Sequence, residues 1–240
     1  MAYSDFTLSE LKEKFQIVIE EKTNIFPDIR EEKISDYLIG TLAENIPLAL
    51  AIHTEKARSE MIVTPVLIEL RKILNRRISL FSGVEFNVDK EKGLNGVCNY
   101  IISLSEEQLY VSSPVISVVE AKNDNIKSGL AQCAAEMMAY RIFNKQKGNR
   151  ISTIYGIVTT GSIWKFLKLN DALYLYIDVR EYGSATQVML TKLTLFTEYY
   201  PVFPFPGILH RTGIRNTGSR CITVSDSFPV SEKCSIFPTG

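Results

Sequence analysis

The sequence has few cysteines, no net charge and no long apolar runs. Its four cysteines, Cys98, Cys133, Cys221 and Cys234, are widely separated and form no CxxC pair. That spacing argues against a disulfide scaffold or a zinc knuckle. Lys and Arg total 27 and Asp and Glu total 27, which excludes a histone-like or polybasic protein. Nucleic-acid binding is not excluded, because local patches matter more than the sum. No window approaches the ~18 apolar residues of a membrane span. The opening Ser4, Asp5, Phe6, Thr7, Leu8 has no basic flank before an apolar run. The expectation is a cytoplasmic protein that does not engage a membrane.

What is present suits a sizeable folded core. The chain has 240 residues, 45% of them hydrophobic and 22% charged. Such a length fits one large domain, or one domain with an appendage. Composition shifts near residue 200. Five of the nine prolines (Pro201, Pro204, Pro206, Pro229 and Pro238) fall in the last 40 residues, with Gly207, Gly213 and Gly218 among them. The expected organisation is a domain over 1–200 and an irregular or mobile tail over 201–240.

The first part of the chain has helical periodicity. Thr7 or Ser9 can cap a first helix whose apolar stripe is Leu8, Leu11, Phe15, Val18 and Ile19. A second helix is expected from Glu31 to Glu44, with Pro47 ending it or starting the next element. A third runs from about Thr54 to Leu74, with Pro65 either kinking it or marking a real start nearby. Its basic end, Arg71, Lys72, Arg76 and Arg77, reads as a solvated C-terminus, with a phosphate-backbone contact as the weaker alternative.

The period then changes to two. Strands are expected at Ile78 to Val88, Leu94 to Leu104 and Val115 to Lys122, the last β-branched and central. Leu130 to Phe143 is a helix rich in Ala and Met. Strands follow at Ser152 to Thr160, Trp164 to Leu169 and Leu173 to Asp178, with a last helix over Ala185 to Tyr199. The pattern is α/β, a mixed central sheet flanked by helices, with a right-handed parallel crossover from Val115–Lys122 to Ser152–Thr160.

Chemistry concentrates on the third strand. Val118, Val119, Glu120, Ala121, Lys122 places Glu120 and Lys122 on one face. The plain reading is an ion pair at a strand end. The sharper reading is a Mg²⁺ site ligated by Glu120 and the Ala121 carbonyl, with Lys122 holding a water or stabilising phosphate charge. Further oxygen donors are Asn99 on the preceding strand, on the face of Val97 and Ile101, and Glu60 or Glu85. A capping role would explain Glu60 equally, and a satisfied sheet polar group would explain Asn99. Gln132, Glu136 and Tyr140 form one polar stripe on the following helix. Gln132 can orient a phosphate or a metal-bound water, and the plainer reading makes the stripe the solvent face. Met137, Met138, Ala134 and Ala135 read as packing groups.

These residues resemble the core of the PD-(D/E)XK nuclease superfamily. The resemblance matches Glu60 to the family's helix glutamate, Asn99 to its strand aspartate, Glu120-Ala121-Lys122 to its E-x-K strand and Gln132 to its helix glutamine. The longer pattern is Val119 to Asn125, Gly129, Gln132, Phe143 and Asn144, then Gly156 to Gly161 and Trp164 to Leu169. It is similar to small stand-alone bacterial proteins and to the N-terminal nuclease domain of type I restriction enzyme R subunits. The likeness spans roughly 50–199. It implies a restriction-endonuclease-like fold and Mg²⁺-dependent phosphodiester hydrolysis of DNA, with Glu120, Lys122 and Gln132 acting on substrate and Glu120, Asn99, Glu60 and Ala121 as metal donors. The departure is Asn99, an amide where the family has a carboxylate.

Three readings follow. One is a DNA endonuclease. Another is a catalytically weak or inactive nuclease-fold protein that binds nucleic acid or a protein partner. In the third, the sheet is a scaffold and Glu120 and Lys122 merely pair. A homodimer is compatible with the first, since two strands need cutting.

Overall fold

A computed structural model describes residues 1–26, 33–149 and 151–183. After a short 3₁₀ turn at Tyr3–Asp5, the helices are α1 (Leu8–Phe15), α2 (Asp36–Ile52), α3 (Glu55–Arg58), α4 (Thr64–Ile73) and α5 (Ile126–Gln146). The strands are β1 (Val18–Glu20), β2 (Ser79–Glu85), β3 (Val97–Ser103), β4 (Val115–Ala121), β5 (Thr153–Thr159), β6 (Ile163–Asn170), β7 (Tyr174–Ile177) and β8 (Tyr182–Gly183). The expected helix over 185–199 and the tail over 201–240 lie outside the described residues, as does the start of the second helix at Glu31.

The sheet is mixed and ordered β1-β7-β6-β5-β4-β3-β2, with β8 added beside β6. β4 and β5 are parallel and joined by α5, whereas β3 pairs antiparallel with β4. Helices cover both faces. One core gathers Leu11, Cys98, Val118, Cys133 and Met137 beneath α1 and α5. The other gathers Leu38, Leu67, Tyr100, Val119 and Trp164 beneath α2 and α4. A mixed α/β sheet flanked by helices is therefore the architecture. No helix among the described residues is long and apolar enough to cross a membrane.

Local chemistry explains the element ends. Thr7 caps α1 reciprocally: its hydroxyl accepts the Glu10 N–H at 3.2 Å, and its own N–H donates to Glu10 Oε2 at 2.8 Å. Gln16 then adopts a left-handed conformation and ends the helix. Val18 and Ile19, expected on the helical stripe, instead begin β1 and pair in parallel with Tyr174 and Leu175. α2 starts at Ser35, later than expected, because that hydroxyl accepts the Leu38 N–H. Pro47 sits inside α2 rather than at its end.

The long third helix is one path in three parts. Between α3 and α4 the backbone widens into a π turn at Ser59–Val63. Pro65 has no N–H for the carbonyl four residues back, Met61. That carbonyl accepts Asn45 Nδ2 at 2.9 Å instead. The Ser59 carbonyl accepts the Thr64 N–H, the Thr64 hydroxyl and the Tyr100 hydroxyl. Thus the break expected at Pro65 is a π bulge whose displaced acceptors are satisfied from α2 and β3.

α5 runs from Ile126 to Gln146, longer than expected at both ends. Asn125 caps it by accepting the Lys127 N–H at 2.9 Å. Near its other end Asn144 is 2% exposed. It bonds both backbone groups of Val115, accepting N–H at 2.8 Å and donating to the carbonyl at 2.6 Å. This clamps the helix to the start of β4. Gly156 on β5 lies directly under Cys133 and Met137, where any Cβ would collide with both sulfurs.

Candidate functional site

The site forms where β4 emerges from the sheet beneath the first turns of α5. Val118 belongs to the α5-side core, so alternation carries Glu120 to that same face. Glu120 is 1% exposed and Lys122 is 16% exposed at its side chain. Lys122 Nζ donates to Glu120 Oε1 at 2.7 Å and to Gln132 Oε1 at 3.2 Å. Gln132 Nε2 donates in turn to Glu136 Oε1 at 3.1 Å. Glu120, Lys122, Gln132 and Glu136 thus make one connected polar chain between strand and helix. The Gln132–Glu136–Tyr140 stripe points into the protein and not to solvent, which overturns the plainer expectation: Glu136 and Tyr140 are fully buried. The helical stripe had to face the sheet because α5 is buried on most of its circumference. Met137, Met138, Ala134 and Ala135 pack in the core as expected.

Gly129 permits the lysine to lie there. A Cβ on Gly129 would stand 3.1 Å from Lys122 Cγ and 2.6 Å from Val158 Cγ1. The lysine stem therefore passes across the first turn of α5 at a point where no larger residue fits.

Electrostatics in this recess are set by burial. Burial pushes the Glu120 carboxyl up to about 7; Glu55 adds to the rise, while the Lys122 charge and the Asn99 backbone amide oppose it. Burial also carries Glu136 well above the usual carboxylate range, with Glu120 reinforcing the shift. Lys122 suffers the opposite desolvation effect, yet Glu120, Glu55 and Glu136 together hold its ammonium above the ordinary lysine value. Glu120 Oε2 and Glu136 Oε2 are buried with no hydrogen-bond partner among the described residues. The thiols of Cys98 and Cys133 are pushed up by burial and are poor nucleophiles.

Asn99 occupies a break in the alternation of β3. Cys98 and Ile101 lie in the same core, beneath α5, whereas Tyr100 and Ile102 lie in the other. Strict alternation, which puts Asn99 with Val97 and Ile101, would leave Cys98 and Tyr100 together on the other face. That expectation is corrected, because the alternation breaks around Asn99 while the pairing with β2 keeps its register on both sides. Opposite it stands Gly83, at φ 65°, between the Ser82–Tyr100 and Val84–Cys98 pairs. The β3–β4 ladder stops at Tyr100–Val119. Beyond it Asn99 Oδ1 accepts the Ala121 N–H at 2.8 Å, taking the place of a backbone carbonyl.

The other expected donors are dispersed. Glu60 is exposed and pairs with Lys56 at 2.8 Å, one turn back on its own helix. Glu85 is exposed on β2, at the end of the sheet order. Ala121 is buried on β4. Glu55 is the helix carboxylate that acts electrostatically on Glu120 and Lys122. It was missed in the sequence because its nearest signal, Thr54 before it, reads as a helix cap, which it is. Among the described residues no group of three or more His, Cys, Asp or Glu is arranged to hold a metal ion. Mg²⁺ wants several oxygen donors in near-octahedral array, and Glu120 is the one expected carboxylate standing in the recess. The donors expected from the sequence do not by themselves fit that ion.

What the arrangement can do follows from Lys122. It is a partly exposed ammonium fixed by a buried carboxylate and an amide, at the mouth of a recess beside the α5 N-terminus. Such a group can receive one phosphate oxygen. The sequence matches no protein-family model and no curated protein.

Proposed function

We propose that this chain is a restriction-endonuclease-like protein of the PD-(D/E)XK kind that binds nucleic acid and hydrolyses it weakly or not at all. The fold part of this reading is supported by the order of β3, β4, α5 and β5 and by the E-x-K residues at the end of the central strand. The functional part rests on one observation. Asn99, standing where the family has its aspartate, commits its side-chain oxygen to the Ala121 N–H, and Glu60 turns away to Lys56. The recess keeps its cation and loses most of its anionic donors. A surviving Lys122 favours phosphate contact, and a depleted carboxylate set disfavours a tightly held divalent ion.

A second reading is favoured by a specific observation: Glu55 lies within electrostatic reach of Glu120 and Lys122. It is Mg²⁺-dependent phosphodiester hydrolysis of DNA, with Glu55 in the place expected of Glu60.

The deciding experiment measures binding and cleavage side by side. Labelled single- and double-stranded DNA is titrated with the full chain in chelator, then incubated with Mg²⁺ or Mn²⁺. Binding that survives chelation, with no cleavage by the wild type, supports the first reading. Metal-dependent cleavage that disappears in both Glu120→Ala and Lys122→Ala supports the second. Cleavage gained only in Asn99→Asp identifies a degraded site. No binding to any nucleic acid would remove both.

A further inference from the structure

A second cationic cluster lies beside this recess and plays no part in it. Arg58, at the end of α3, is 7% exposed. One of its terminal nitrogens donates to the Thr160 carbonyl at 3.1 Å, just past β5. The other stands 3.4 Å from His53 Nδ1 and 3.6 Å from Asp124 Oδ1. Its Nε is buried with no hydrogen-bond partner among the described residues. His53, in a left-handed conformation at the end of α2, turns its Nε2 to Asp124 Oδ2 at 3.3 Å. Asp124 follows Lys122 by two residues, and the helix cap Asn125 comes next.

This is a buried guanidinium whose counter-ion among the described residues, Asp124, is loosely seated. Well-made pairs between guanidinium and carboxylate are bidentate at roughly 2.7–2.9 Å. Asp124 sits farther out than that on both of its contacts, and it is 58% exposed at its side chain. Taking a guanidinium out of water is costly unless an anion compensates it. Thr160 offers a neutral carbonyl, and His53 offers a ring nitrogen. The position that faces Arg58 and His53 together is held by an exposed, loosely seated carboxylate at the start of α5, where the helix dipole also favours an anion.

We propose that Arg58 and His53 form a phosphate-binding position that the Asp124 carboxylate fills in the free protein and yields to a phosphate group. This deepens the nucleic-acid reading and rests on it for the source of the phosphate. The ligand chemistry is a tetrahedral oxyanion, carried either by a nucleic-acid backbone or by a small phosphate compound. Arg58 would supply the terminal nitrogen that now faces Asp124, and His53 its Nε2–H, while Asp124 swings to solvent. Asp124 belongs to the segment that leaves Lys122, so a backbone phosphate seated here would run past the mouth of the first recess.

The test compares Asp124→Asn with a matched removal of one charge elsewhere, Glu13→Gln, on exposed α1. Both are measured in the full chain by fluorescence anisotropy on a labelled duplex of about 20 base pairs at fixed salt. Inorganic phosphate at matched ionic strength is scored separately by its shift of the melting temperature. Asp124→Asn should bind duplex roughly tenfold more tightly than wild type, and Glu13→Gln should change affinity by less than about twofold. The gain should vanish when Asp124→Asn is combined with His53→Asn, since Asn tolerates the left-handed backbone at that position. Arg58→Lys, checked for folding by its melting temperature, should lose the response to phosphate. Asp124→Asn behaving like Glu13→Gln, or a gain that persists in the His53→Asn background, overturns the proposal. If no form binds duplex but Asp124→Asn still responds more strongly to inorganic phosphate than wild type, the nucleic-acid reading falls and the site stands, serving a small phosphate compound.

Discussion

Asn99 Oδ1 and the Ala121 backbone N–H, 2.8 Å apart, continue the β3–β4 ladder with a side chain. The backbone ladder between the two strands ends at Tyr100–Val119, and Asn99 stands opposite the left-handed Gly83 of β2. Replacing Asn99 by Ala leaves the Ala121 N–H without its acceptor, at a cost of about 1–3 kcal/mol. Asn99→Asp keeps an acceptor oxygen and should retain more stability than Asn99→Ala. Urea unfolding of the three forms ranks them. Equal losses for both variants would show that the acceptor contributes nothing.

Glu120 and Lys122 form a pair in which neither partner tolerates the loss of the other. Lys122→Met strands a carboxyl that is 1% exposed. Breaking such a buried pair costs about 3–5 kcal/mol when the charge remains. Glu120 can reduce this cost by keeping its proton, since burial already pushes it up to about 7 and Lys122 is what holds it down. In Lys122→Met the folded-state value rises further. A carboxyl with a raised folded value contributes less stability as pH climbs from its unfolded value toward the folded one. The penalty for Lys122→Met should therefore be larger near pH 8 than near pH 5. Glu120→Gln combined with Lys122→Met should cost less than the sum of the two singles. A double-mutant cycle by chemical unfolding at both pH values measures this.

Glu136 gives a cleaner pH experiment because it is fully buried and one of its oxygens has no hydrogen-bond partner among the described residues. Burial, then the Glu120 charge, raises it well above the usual carboxylate range. The folded protein thus retains a proton over a range where the unfolded chain has released it, so stability falls as pH rises across that range. Glu136→Gln removes the titration and keeps an acceptor oxygen for Gln132. It should match wild type under acid conditions and exceed it at neutral and alkaline pH. Melting temperatures from about pH 5 to about pH 8 supply the comparison. A variant that is less stable than wild type at the upper end would contradict the account.

Much of the scaffold is legible in the sequence because its causes are local. Thr7 and Glu10 announce a capping box, the β-branched run around Val118 announces a central strand, and Pro65 announces a break. What is not legible depends on partners far along the chain. The break in face alternation at Asn99 has the left-handed Gly83 opposite it on β2, and at the π turn before Pro65 the displaced carbonyls accept hydrogen bonds from Asn45 and Tyr100. Among the site residues, Glu120, Lys122 and Gln132 come together as their spacing suggests. The inward turn of Glu136 could not be told from a solvent stripe, because period alone does not say which side of a helix meets the sheet. Glu55, Arg58 and Asp124 carry no motif of their own; it is the fold that brings α3 against the β4–α5 junction.

Gly129 and Gly40 are both helical glycines, and the structure assigns them opposite responses to alanine. Gly40 lies within α2 with nothing within 4 Å of a Cβ. Alanine there gains helix propensity and should stabilise the protein by about 0.8–1.0 kcal/mol. At Gly129 the same gain is opposed by contact at 2.6 Å with Val158 Cγ1 and at 3.1 Å with Lys122 Cγ. Overpacking of this kind typically costs about 1–3 kcal/mol, so Gly129→Ala should be net destabilising. The lysine stem is the more yielding neighbour, since Val158 is fixed within β5. The added methyl should thus displace Lys122 from Gln132 and weaken the proposed nucleic-acid binding beyond what its stability loss explains. Unfolding curves for Gly40→Ala and Gly129→Ala, with binding measured well below each melting temperature, separate the two effects. Unchanged affinity in a folded Gly129→Ala would show that the position of Lys122 does not matter to binding.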